Sequence, residues 1–169
     1  LRCCFATFER ASGCQNGTRG MPRVMVRPFT EPDRSQIIAL WNDVFADDPP
    51  WNAPDVIIDT KLKVQPGLFF VCVDLSVSGQ REIVGTTLAG FDGVRGWMHH
   101  VATHSAHRRR GIASLMMAKA AAGLEALGCP KLNLQVRATN QAVVRFYESL
   151  AYVVEDRISM GKRLGSNGQ

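Results

Sequence analysis

His107-Arg108-Arg109-Arg110-Gly111-Ile112-Ala113-Ser114 is the stretch on which the reading of this chain turns. Residues 97–103 just before it have the composition of a strand. From Gly111 onward Ile112, Leu115, Met116, Lys119, Leu124 and Leu127 recur mostly three and four apart, among many alanines. The octapeptide is therefore a turn from a strand into an amphipathic helix that packs closely on a sheet. The first amides of a helix have no internal acceptor, and the helix dipole adds partial positive charge at that end. Such an end receives phosphate. Gly111 lets the main chain approach an anion, Ala113 keeps the way clear, and three arginines add charged donors. The arginines alone also read as a solvated charge run; the strand, the spacing and the helix favour the phosphate turn. The Gly-x-x-x-x-Gly-Lys-Ser/Thr and Gly-x-Gly-x-x-Gly patterns of nucleotide sites are absent.

Working outward, a short strand precedes Thr30-Glu31-Pro32-Asp33, which reads as a helix start: Thr30 can cap, Pro32 fits the first turn, and Asp33 suits the positive end. Ile37, Leu40, Trp41, Val44 and Phe45 follow at helical spacing until Asp47-Asp48-Pro49-Pro50 breaks the helix. A second helix is expected over 54–63 and strands over 68–75 and 83–91, with Ser78-Gly79-Gln80 as the hairpin turn between them. After the long helix stops at Gly128, a strand is expected over 131–136. A last helix then starts near Thr139-Asn140, with Val143, Phe146, Tyr147 and Leu150 on one face. Short strands over 152–154 and 158–162 close the chain. The order β-α-α-β-β-β-α-β-α-β predicts a single α/β (α+β) domain with a mixed sheet.

A chain of 169 residues with 46% hydrophobic and 21% charged residues is ordinary for one globular domain. The net charge of +5 suits an anionic cofactor and does not by itself argue for nucleic acid. No apolar run is long enough for a membrane span. The five cysteines lack zinc-ligand spacing, so no metal is expected, and reduced thiols in a cytoplasmic protein are the default expectation. Residues 1–20 carry no period and read as an extension outside the fold. Residues 21–164 read as the domain and 165–169 as a tail.

Two blocks in register suggest a family. Arg108-Arg109-Arg110-Gly111-Ile112-Ala113 resembles the Gln/Arg-x-x-Gly-x-Gly/Ala signature of the GNAT N-acetyltransferases. Asn140-Gln141-Ala142-Val143-Val144-Arg145-Phe146-Tyr147-Glu148-Ser149-Leu150-Ala151-Tyr152 is similar to their Asn-x-x-Ala/Val…Phe-Tyr-x-x-x-Gly-Phe/Tyr block. Residues 50–54, 90–96 and 161–164 are similar to the small YpeA-like bacterial branch. The resemblance implies the acyl-CoA N-acyltransferase fold, with a mixed, mostly antiparallel twisted sheet flanked by helices. It implies acetyl-CoA as cosubstrate and a primary amine that attacks the acetyl group directly within a ternary complex.

Carried over by motif position, the diphosphate lies on the turn formed by Arg108, Arg109, Arg110, Gly111, Ile112, Ala113 and Ser114. The pantetheine arm pairs with main-chain groups of Val101 and Thr103, and Asn140 contacts the arm. Tyr147 matches the tyrosine that protonates the departing thiolate; read from its spacing alone it is equally a core aromatic. Gln135 stands where related enzymes often place a glutamate base, which leaves His99 first, and His104 after it, as candidate bases, alongside a water chain. Trp41, Trp51 and Asn52 are expected on the acceptor side, with Asp47 and Asp48 able to attract a cationic amine. The resemblance also implies a possible homodimer. Ala151 stands where the family has glycine, so a left-handed backbone there would cost on the order of 1 kcal/mol. Two other functions remain open at this level: a non-catalytic acyl-CoA sensor, and a nucleic-acid module using the arginine run. The second lacks interleaved aromatics.

Overall fold

A computed structural model describes residues 23–76 and 81–164. The expected extension over 1–20, the Ser78-Gly79-Gln80 turn and the 165–169 tail lie outside these residues. Five strands form one sheet in the order β1-β2-β3-β4-β5: β1 (Val24–Pro28), β2 (Phe69–Asp74), β3 (Glu82–Phe91), β4 (Gly96–Thr103) and β5 (Leu132–Leu134). The first three pairings are antiparallel, and β4 with β5 is parallel.

Helices cover both faces. α1 (Arg34–Val44) and α2 (Pro54–Lys63) pack on one, and α3 (Ile112–Glu125) and α4 (Gln141–Glu148) on the other. The Thr30–Asp33 capping box forms as the sequence predicts, ahead of a short 3-10 turn leading into α1. Arg27 anchors it by donating to both oxygens of Asp33, at 2.6 and 2.7 Å. Desolvation works against the Asp33 charge, but the Arg27 and Thr30 donors prevail and hold the carboxyl below its ordinary value.

Each face has its own core. Ile37, Leu40, Trp41 and Ile58 pack on Phe69, Val71 and Leu88 beneath α1 and α2. Phe70, Ala89 and Met98 meet Met117, Ala120, Leu124 and Tyr147 beneath α3 and α4. Small residues on both sides permit close contact: a side chain at Gly123 of α3 would meet Leu68 Cδ2 at 2.9 Å, and one at Gly85 of β3 would meet Met116 Cε at 2.7 Å.

Two expectations are corrected. The strand expected over 131–136 is confined to Leu132–Leu134. No strand forms over 152–154 or 158–162. That segment runs beside β5 through side chains only: Lys131 pairs with Glu155, and Gln135 Nε2 donates to Ser159 Oγ at 2.6 Å. A strand needs a partner with free main-chain groups in register, and a three-residue β5 offers too little edge for one.

Candidate active site

The turn that opens α3 has the geometry its sequence predicts. Gly111 is the helix N-cap with φ +76° and ψ 2°, and no side chain caps the helix there. The first intrahelical bond runs from Leu115 N–H to Gly111 C=O at 3.1 Å. The amides of Ile112, Ala113 and Ser114 come before it and have no acceptor within the helix. Arg109 also adopts a left-handed backbone, φ +61°. Two left-handed residues so close together bend the main chain sharply just ahead of α3. A Cβ built on Gly111 would meet nothing within 4 Å, so the turn is open.

The opening continues along β4. Among the described residues, pairing with β5 covers only Gly96, Trp97 and Met98, so His99 to Thr103 keep an uncovered edge. Facing groups alternate along a strand. His104 N–H donates to Val84 C=O on β3 at 2.9 Å, which turns Thr103 and Val101 toward the uncovered side. α3 starts just beyond the end of this edge, after the Ser105–His107 turn. Asn140 caps α4, its Oδ1 accepting from Val143 N–H at 3.3 Å, which leaves Nδ2 for another partner. Tyr147 is 8% exposed and lies in the same apolar cluster as Val101 and Leu134. Burial, reinforced by Tyr152, pushes its phenol up to about 12, so it holds its proton at neutral pH.

A β-bulge sets the other face. Leu88 pairs with His99 and Thr86 with Ala102, so Thr87 alone faces His100 and Val101. His100 takes φ +48°. Ordinary alternation would send His99 and His100 to opposite faces; the bulge turns both toward α1 and α2. His100 packs 4.6 Å from the Trp41 ring and 5.3 Å from Phe45. Its backbone carbonyl accepts from Thr86 Oγ1, which accepts in turn from Trp41 Nε1 at 2.7 Å.

A cavity of about 210 Å³ opens there, lined by Trp41, Phe45, Asp48, Asn52 and His100 among others. Asp48 receives Asn52 Nδ2 and Arg137 Nη2, each at 3.2 Å. Desolvation, partly offset by Asp48, holds His100 below its ordinary pKa. His99, at the surface but crowded, is lowered by desolvation and then by the charge of Lys61. Burial takes the Lys61 ammonium down to about 8; its Nζ donates to Ala89 C=O at 2.6 Å.

The structure thus sorts the expected acceptor residues. Asn52 lines the cavity. Trp41 is core, 2% exposed, and supplies only its floor. Trp51 is not among the lining residues; it is 52% exposed, with the Arg163 guanidinium 4.0 Å from its ring. His104 belongs to the other end of β4, grouped with His107 and Glu82. His100, Lys61 and Arg137 were not legible as site residues: a bulge and a helix docking bring them in, and neither leaves a mark in the local sequence.

The profile of the "Acetyltransferase (GNAT) family" matches residues 34–152. The chain belongs to this family. As a GNAT acetyltransferase it is an acyltransferase. An acetyltransferase of Yersinia enterocolitica is 40% identical over 141 residues, 82% of this chain and 94% of that protein. One from Pectobacterium atrosepticum agrees equally, at 40% over the same coverage. Among solved structures, the aminoglycoside N-acetyltransferase AAC(6')-Iy in complex with CoA shares the fold at TM-score 0.68 and 13% identity, covering 88% of this chain and 99% of that one. A chain of the NatC complex bound to Gag peptide and CoA does so at TM-score 0.64 and 21% identity, covering 76% and 83%. The enzyme assignment sets aside the reading as a non-catalytic sensor. Among the described residues, no helix is long and apolar enough to cross a membrane.

Proposed function

We propose that this protein transfers the acetyl group of acetyl-CoA to a primary amine, with both bound at once in the slot beside β4. The observation that carries this is the uncapped N-terminus of α3 lying at the end of an uncovered strand edge. The diphosphate sits on the amides of Gly111, Ile112, Ala113 and Ser114, and Arg108, Arg109 and Arg110 screen its charge. The pantetheine adds as a strand to Val101 and Thr103, with Asn140 Nδ2 on its other side. Holding both reactants together removes the entropy of their encounter.

The amine enters from the cavity under α1 and α2, where Asp48 favours a cation and Trp41 and Phe45 present flat apolar walls. His100 lines that cavity and His99 does not, so His100 takes the amine proton. Desolvation keeps it neutral, the form a base requires. The amine nitrogen bonds to the acetyl carbon, the carbon–sulfur bond breaks, and the Tyr147 phenol gives its proton to the departing thiolate. AAC(6')-Iy and the NatC chain, described in complexes with CoA, support this placement of the cofactor by fold.

The test is a thiol-release assay over a panel of peptides, amino acids and small amines, with CoA affinity measured alongside. CoA binding together with release on at least one amine is expected. A folded sample with no affinity for CoA overturns the proposal. The acid limb of kcat/KM should lie below pH 6.5, since the folded His100 pKa is lowered. His100→Gln should remove that limb and His99→Gln should keep it; the reverse result returns the role to His99.

A further inference from the structure

A second cluster lies beyond the slot, at the far end of β4. His104 and His107 flank a 3-10 turn (Ser105–His107), closed by His107 N–H donating to His104 C=O at 2.9 Å. Three residues per turn place i and i+3 on one side, so both imidazoles face the same way. Their rings stand edge to face with centroids 5.6 Å apart. Glu82, at the start of β3, reaches the same spot. One ligand atom from each of Glu82, His104 and His107 lies within 4.8 Å of the others.

We propose that Glu82, His104 and His107 form a divalent transition-metal site, with zinc as the ion that fits best. Two imidazoles and a carboxylate, completed by water, make a common tetrahedral zinc set. Bonds of about 2.0–2.1 Å require donor atoms about 3.4 Å apart, so the three must close by roughly an ångström. Glu82 is exposed and can rotate inward.

An outer partner is already placed. Asp74, buried beside the cluster, has Oδ2 at 3.3 Å from His107 Nδ1, while His107 Nε2 faces Glu82 at 3.7 Å. An imidazole that ligates through Nε2 carries its proton on Nδ1 and donates it to such a carboxylate, which orients the ring. Asp74 is itself fixed by Ser76 N–H, at 2.7 Å, and by the Ser76 hydroxyl.

The opposing charge is Arg110. Its Nη1 lies 2.8 Å from His107 Nδ1 and 3.7 Å from Asp74 Oδ2. An arginine can only donate, so this contact requires a bare Nδ1. Metal on Nε2 puts a proton there and dismisses Arg110, which belongs to the phosphate turn. Loading the site therefore frees an arginine next to the diphosphate position. At His104, Nδ1 accepts weakly from Ala106 N–H at 3.3 Å, a contact that ligation can replace. At the cluster itself, Asp74 and Glu82 stand against Arg110.

The experiment titrates metal-free full-length protein with Zn²⁺ by calorimetry and with Co²⁺ by visible absorption. One site per chain is expected, with a four-coordinate cobalt spectrum lacking thiolate charge transfer. Glu82→Gln and His104→Gln should each weaken binding by about tenfold or more, and Asp74→Asn by about 10–100-fold. Arg110→Met should tighten it, an effect that a merely structural role would not produce. Equal zinc affinity in the wild type and a His104→Gln/His107→Gln double variant overturns the site. A cobalt spectrum dominated by thiolate bands does the same. None of these readouts depends on acetyl transfer.

Discussion

The N-termini of α3 and α4 are finished differently. α4 is closed by its own sequence: Asn140 Oδ1 accepts from Val143 N–H. α3 has glycine at that position and no side-chain cap. With glycine at the N-cap, the bare start gives up only a few tenths of a kcal/mol that a capping side chain would contribute. The difference teaches where each helix acts. In the proposed reaction α3 acts through main-chain amides that no side-chain truncation can delete, whereas α4 acts through side chains, Asn140 at its start and Tyr147 within it.

The contrast can be broken in order of expected effect. Tyr147→Phe, on the side-chain helix, should lower kcat by about 10²–10⁴-fold, as loss of a general acid does, while calorimetry shows CoA binding unchanged. Equal losses of kcat and CoA affinity would return Tyr147 to a packing role. Gly111→Asp, on the main-chain helix, sets a carboxylate where the diphosphate sits. It should weaken CoA binding by about 10–100-fold, close to the worth of a lost charge-assisted contact. The left-handed backbone there costs the new side chain only about 1 kcal/mol in folding. Unchanged CoA affinity would sink the phosphate turn. Asn140→Ala uncaps α4 and should cost about 1 kcal/mol, read as a lower urea midpoint. Smallest is Ala151→Gly just past α4, expected to stabilise by about half to 1 kcal/mol in the same titration. Ala151 does stand at φ +65°, the strained backbone its sequence position predicted.

Most of the scaffold was legible. Periodicity gave α1, α2, α3 and α4, because each buries an apolar stripe against one sheet face. It gave β2, β3 and β4 because long strands covered on both faces are rich in apolar residues. The open turn into α3 was legible because it is local: a strand end, a glycine and a helix start are consecutive. The chain after α4 was misread for the opposite reason. Tyr152, Val153, Val154, Ile158 and Met160 carry strand propensity, but propensity cannot supply the missing edge, and Val153, Val154, Ile158 and Met160 stay largely exposed. Of the residues expected on the acceptor side, Asn52 lines the cavity, whereas Trp51 does not and carries Arg163 against its ring.

The sequence by itself determined the family, the order of nearly all the elements and the open amides at Gly111–Ser114, since each follows from residues within a turn or two of one another. Tertiary structure alone decided which histidine lines the cavity under α1 and α2. His99 and His100 are neighbours in the chain, and a single extra residue opposite Thr87 determines which way their rings point. It also decided that His104 joins Glu82 and His107 and does not line the cavity. Side-chain direction along a strand depends on the pairing of the whole sheet, and that pairing is not written at any one position.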